Sequence, residues 1–298
     1  MTYETRSVTE QVNPRTKDID RLQTRSIVRL INDEDRSVAE AVYRALDRVA
    51  AAVDLAAERL GSGGHMFYIG SGTSGRLGVL DASECSPTFG VSPDLIRGII
   101  AGGPDALSRA IEGAEDNQEQ GARDLESVGL TQQDAVVGLS ASGNTPYTLG
   151  AIQYAKQTGA GTVSITCNPS SKLAALAEVN IVVAVGPEVI AGSSRMKAGT
   201  AQKMVLNMLS TATMIKMGLV YGNLMSNLVA TNEKLMRRAV EIIGAEAGLD
   251  QQKAALLFES AGRDLRVALV MSKLTVPKEK AESLLENHGG SVRRVLDE

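Results

Sequence analysis

Residues 66–75 read Met66-Phe67-Tyr68-Ile69-Gly70-Ser71-Gly72-Thr73-Ser74-Gly75. A short apolar run breaks into a loop of glycines and hydroxyls. The run is apolar at every position rather than at alternate ones, as in a parallel strand covered on both faces. Four further short runs, most of them rich in Val, Ile or Thr, likewise end in loops. Residues 96–101 end in Gly102-Gly103-Pro104, and 135–139 end in Ser140-Ala141-Ser142-Gly143-Asn144-Thr145. Residues 162–166 end in Cys167-Asn168-Pro169, and 180–185 end in Gly186-Pro187. The segments between them have the spacing and length of helices. This alternation predicts an α/β fold, an open parallel five-stranded sheet flanked by helices. Ligands of such sheets bind at the carboxyl ends of the strands, where these loops fall.

Upstream, residues 1–20 are polar and predict an irregular arm. Between 27 and 60, Val38, Val42, Leu46, Val49, Val53 and Leu60 recur at helical spacing. Two helices fit, broken near Asn32-Asp33 or soon after. The arm and helices, 1–60, are expected to pack on a sheet domain of 61–225. That domain closes with a Met-rich helix over 198–220, whose stripe reads as core or interface. Residues 226–298 form a helical appendage with a weak internal repeat. Leu257-Phe258-Glu259, Gly262 and Leu265 resemble Leu284-Leu285-Glu286, Gly289 and Val292.

Composition narrows the function. Lys+Arg is 31 against Asp+Glu 35, a formal net charge of -4, which disfavours a nucleic-acid partner. Aromatics are 3% with no Trp, so a base-stacking platform and an aromatic sugar groove are both disfavoured. Two Cys and two His cannot build a disulfide framework and make a His/Cys metal cage improbable; a carboxylate-only magnesium site stays open. No apolar run approaches the ~20 residues of a membrane span, and residues 1–13 lack an apolar signal core. A soluble cytoplasmic protein with no membrane partner is expected.

Three loops offer chemistry. Gly70-Ser71-Gly72-Thr73-Ser74-Gly75 matches G-x-G-x-x-G. The following strand, however, ends in Gly102-Gly103-Pro104, not in the acid that a dinucleotide ribose requires. A nest for phosphate, built by Ser71, Gly72, Thr73 and Ser74 at a helix N-terminus, fits better, and a plain tight turn would use the same glycines. Ser140, Ser142, Gly143, Asn144 and Thr145 form a second loop of this kind. Two such loops after separate strands favour a phosphorylated small molecule. No G-x-x-x-x-G-K-[ST] supports a nucleotide triphosphate. The third segment, 186–197, contributes Glu188, Ser193, Ser194 and Lys197 as further candidates for sugar contacts; helix capping is the competing use. Glu84, between small residues and Pro87, and Glu115, in an acidic run, are the notable carboxylates. Two carboxylates in one pocket can move protons in both directions.

Four stretches together resemble one family of sugar isomerase (SIS) domains. They are Thr9 to Pro14 with Asp18-Ile19-Asp20, Gly70 to Cys85 with Pro87-Thr88-Phe89, Ala110 to Asp116, and Gly192 to Thr200. The family is that of the N-acetylmuramic acid 6-phosphate etherases, and the resemblance spans nearly the whole chain. It implies hydrolysis of the D-lactyl ether to N-acetylglucosamine 6-phosphate and (R)-lactate, in murein recycling. It also implies a homodimer without metal or cofactor, and a ubiquitin-associated-like C-terminal region. The family's proton donor matches Glu84 and its second acid/base matches Glu115. The chemistry is coherent: ring opening gives an aldehyde that acidifies the C2 proton, lactate leaves C3 by elimination, and water adds back. A phosphosugar isomerase or a non-catalytic phosphosugar sensor would use the same loops.

Overall fold

The computed structural model describes residues 7–230 and 232–298. They divide into two compact units, residues 7–83 with 93–210, and 84–92 with 211–298. The sequence-based boundary near 226 differs from this division, and residues 84–92 join the later unit.

The first unit opens with an arm of three single turns, Val8–Glu10, Pro14–Thr16 and Ile19–Arg21. Helices α1 (Thr24–Tyr43) and α2 (Leu46–Gly61) follow. Their break falls at Arg44-Ala45, not near Asn32-Asp33. Asp33 faces solvent as an ion-pair partner of Arg29 and Arg36, so nothing there interrupts the helical bonds. Strand β1 (Met66–Gly70) leads into α3 (Gly72–Phe89), which runs through Pro87 in its last turn. Then come β2 (Ile96–Ile100), turns at Pro104–Leu107 and Ala114–Asp116, and α4 (Gln118–Ser127). Strand β3 (Ala135–Leu139), α5 (Pro146–Thr158), β4 (Gly161–Thr166), α6 (Lys172–Leu176) and β5 (Val179–Val182) complete the alternation. Helix α7 (Lys197–Lys216) takes the Met-rich segment and ends four residues before the expected Val220.

The five strands are all parallel, in the order β2-β1-β3-β4-β5. Every residue of β1, β3 and β4 is buried and none is charged, as fits strands covered on both faces. Helices α2 and α5 both pack on β1, β3 and β4. A buried polar link reinforces the layer: Tyr68 of β1 donates to Asp81 of α3 at 3.0 Å, and Asn207 of α7 donates to the other carboxylate oxygen at 2.6 Å. The strand order reverses between β1 and β3. Gly70 pairs with Leu139 there, so both strands end at one level. This is the switch point at which open parallel sheets bind ligands.

A buried charge cluster anchors the arm. Lys197, at the start of α7, donates to Glu34 of α1 at 2.7 Å, with both side chains almost wholly buried. Asn13 donates to the same carboxylate at 2.7 Å and to the Pro187 carbonyl at 3.3 Å. Arg15 pairs with Glu34 at 2.9 Å, and Thr16 donates to the Val189 carbonyl at 2.8 Å. Burial pushes the Glu34 carboxyl upward, but the hydrogen bonds from Lys197 and Asn13 and the charges of Lys197 and Arg15 outweigh it and hold it below the ordinary value.

The second unit's later part is all helical: α8 (Glu233–Ala247), α9 (Gln251–Ser260), α10 (Leu265–Leu274), α11 (Lys278–Asn287) and α12 (Val292–Leu296). Phe258, Leu265, Leu269, Leu285 and Val292 share its core. The internal repeat corresponds to α9–α10 and α11–α12, each pair turned by a positive-φ glycine, Gly262 and Gly289. No helix among the described residues is long and apolar enough to cross a membrane.

Lys197→Met leaves Glu34 buried with Arg15 as its sole cation, an expected loss of about 3–5 kcal/mol in urea unfolding. The pH sense follows from the lowered Glu34 carboxyl. Its contribution is present above the ordinary glutamate value and is lost as pH falls through the folded one. Glu34→Gln should therefore flatten the fall of wild-type stability between about pH 5 and pH 3.

Candidate active site

A cavity of about 370 Å³ lies at the carboxyl ends of β1 and β3. The β1 loop contributes Ser71, Gly72, Thr73 and Ser74. The β3 loop contributes Ser140, Ser142, Asn144 and Thr145, and Ser194 joins from the loop before α7. Glu115 and Asp116 enter from the turn ahead of α4. Larger hollows of about 460 Å³ beside β2 and about 500 Å³ in the helical unit lack this set of hydroxyls.

Among the described residues, no Lys, Arg or His lines the cavity. What it offers to an anion are hydroxyls, backbone N–H groups and the N-termini of α3 and α5, each helix more than two turns long. The β3 loop is tightly set. Buried Ser140 shares a 2.8 Å hydrogen bond with Thr145 and accepts from the Gly143 N–H at 2.9 Å. Asn168 donates to the Ser142 carbonyl at 3.0 Å. On the β1 side, Ser74 donates to Gln202 of α7 at 2.9 Å. Ser71 donates to Glu115 at 3.2 Å, which joins the anion loop to a carboxylate. A smaller hollow of about 230 Å³ shares Ser71, Gly72 and Glu115 with the main cavity and adds Arg76 and Glu112.

The other sequence candidates stand elsewhere. Gly143 shapes the β3 loop without lining the cavity, and Ser193 donates its N–H to Ile190 in the neighbouring turn. Glu188 and Lys197 are buried and occupied. Glu188 accepts the N–H groups of Lys197 and Ala198 at the start of α7, and Lys197 is the partner of Glu34. The structure thus shows Glu188 capping α7 and Lys197 pairing with Glu34. Burial raises the Glu188 carboxyl, with those two N–H groups and the Lys197 charge opposing. Glu84 is exposed on α3 and does not line the cavity. Its position is twelve residues beyond Gly72, roughly 18 Å along the helix at ~1.5 Å per residue. Cys85 is buried, and burial with the nearby Glu188 charge pushes the Cys167 thiol up to about 12. Among the described residues no group of three His, Cys, Asp or Glu could hold a metal ion. Sequence reasoning missed Thr9, Glu10, Asp116 and Gly192 in the lining. Nothing in the polar arm indicated where it would dock.

Gly143 has φ +66°, and a Cβ there would lie 2.2 Å from Cβ of Ser171. Gly143→Ala should cost at least about 2 kcal/mol in denaturant unfolding and abolish the rise in Tm produced by inorganic phosphate. Ser142→Ala should weaken the phosphate effect while changing stability by about 1 kcal/mol or less.

Residues 48–156 match the glucokinase regulatory protein N-terminal SIS domain family, and residues 123–212 match the SIS domain family. A phosphoheptose isomerase from Francisella tularensis has a similar fold, with a TM-score of 0.51 at 14% identity over 64% of this chain and 98% of its own. An N-acetylmuramic acid 6-phosphate etherase of Escherichia fergusonii is 51% identical over 97% of both chains. One of Clostridium botulinum is 50% identical over 98% of this chain and 96% of its own. With identity at this level running from the arm to the helical tail, the chain belongs to the N-acetylmuramic acid 6-phosphate etherase family.

Proposed function

We propose that this protein cleaves the D-lactyl ether of N-acetylmuramic acid 6-phosphate, releasing (R)-lactate and N-acetylglucosamine 6-phosphate. The observation that carries this reading is the 3.2 Å hydrogen bond between Ser71 and Glu115. It sets an acid/base group against the loop suited to hold the phosphate. The two loops and helix N-termini bind the phosphate without a cation. Glu115 then takes the C2 proton of the opened sugar or activates the water that returns to C3. Both steps are proton transfers alpha and beta to an aldehyde, chemistry that a carboxylate supplies without metal or cofactor.

Glu84 is the proton donor to the departing lactate oxygen. It is too far along α3 to reach a sugar whose phosphate rests at the N-terminus of the same helix. A homodimer in which each copy lends Glu84 to the other's cavity resolves this. The reading places the enzyme in cytoplasmic murein recycling.

Incubation of the purified protein with N-acetylmuramic acid 6-phosphate in H₂¹⁸O and EDTA should release lactate and put the label on the sugar at C3. Label in the lactate hydroxyl would discard elimination. Ketose phosphate without lactate would mean an isomerase, and no turnover a phosphosugar sensor. Glu115→Gln and Glu84→Gln should each lower kcat by ~10²–10⁴. A mixture of the two variants, refolded together, should regain activity if the site is shared and stay inactive if it is not.

A further inference from the structure

We infer that Glu10 is a third catalytic carboxylate, and that its task is to open the sugar ring. This rests on the etherase reading of the cavity. Glu10 lies in the arm, is exposed, and lines the same cavity as the two phosphate loops. The arm carries it there by fixed contacts. The Thr9 carbonyl accepts the Gly192 N–H at 3.1 Å, and a Cβ on Gly192 would lie 3.2 Å from Oε2 of Glu10. Thr9, Asn13 and Thr16 are all buried, although the arm has no regular helix or strand. Burying three polar side chains is unfavourable unless each is bonded: Asn13 and Thr16 bond to Glu34 and the 187–192 loop, and Thr9 shares a 3.1 Å hydrogen bond with Ser7. The arrangement holds one carboxylate at the cavity wall.

The ring's own geometry assigns the work. Elimination takes place at C2 and C3. Opening takes place at O1, C1 and O5, and O5 lies across the ring from C3. A group placed for one end is poorly placed for the other. Glu115 and Asp116 come from the turn before α4, whereas Glu10 comes from the arm beside Gly192, a separate piece of wall. O1 and O5 are bonded to the same carbon, within the span of a single carboxylate. The Glu10 carboxylate takes the proton of the O1 hydroxyl. The electron pair left on O1 forms the C1–O1 double bond, and the C1–O5 bond breaks with its pair going to O5. Glu10 returns the proton to O5. No other reactant is consumed, and Glu10 ends as it began.

The test compares wild type with Glu10→Gln, a substitution at an exposed position. Wild type should accelerate the exchange between the two anomers of N-acetylglucosamine 6-phosphate, followed by NMR exchange spectroscopy, and Glu10→Gln should lose that acceleration. With N-acetylmuramic acid 6-phosphate, Glu10→Gln should lose at least ~10-fold in kcat. Its kinetic isotope effect with substrate deuterated at C2 should collapse toward unity, because ring opening then limits the rate. A raised KM with wild-type kcat and isotope effect would make Glu10 a binding contact only and overturn the assignment. So would wild-type anomer exchange in the variant. An enlarged isotope effect would move Glu10 to C2 and overturn it as well. If wild type itself releases no lactate, the etherase reading fails, and the ring-opening role falls with it.

Discussion

The parallel pairing of β1 with β3 is the constraint from which the site follows. Gly70 and Leu139 end their strands side by side, so the chain leaves the sheet twice at one level and in one direction. Each exit turns into a helix, and the two helix N-termini converge on one volume. A shift of register by one residue would separate the loops and also turn the buried side chains of the strand to the opposite face. The hydroxyls of Ser71, Ser74, Ser140 and Thr145 are useful because this pairing brings their loops together.

The sheet was legible because burial on both faces leaves an unmistakable composition. All five apolar runs became strands, and the hydroxyl loops after the first and third met at the switch point. What sequence could not convey was the alternative employment of polar groups. Glu188 and Lys197 look like ligands in a linear string, yet one caps α7 and the other neutralises Glu34 across 163 residues. Pairing over that distance has no local signal. The same holds for Glu10, which stood inside a motif carrying the family resemblance but reached the cavity only through the docking of the arm. The break between α1 and α2 was misplaced because Asn and Asp suit helix ends, while here Asp33 is held within the helix by flanking arginines.

A cavity whose described lining offers hydroxyls and helix N-termini but no cation has its own logic. A lysine or arginine would attract an anion more strongly, but it would also bring a fixed positive charge beside the cavity carboxylates Glu10, Glu115 and Asp116. Helix termini and hydroxyls spread the positive potential over many weak donors. The cation nearest in kind, Arg76, sits in the adjoining hollow, where it donates to the Leu107 and Arg109 carbonyls. It thereby holds the segment that carries Glu115 and does not line the main cavity.

The docking of the arm also has a bearing on synthesis. Asn13 meets Pro187 and Thr16 meets Val189, contacts spanning 174 and 173 residues. The arm leaves the ribosome well before the 187–192 loop on which it docks, and must wait for it. At ~5–20 residues per second, the interval is on the order of 10–30 s. Through that interval the sheet and its phosphate loops can assemble while the arm stays solvated, which its polar composition permits. The two hydroxyl loops would thus be in place before the wall that carries Glu10, so the cavity is completed last.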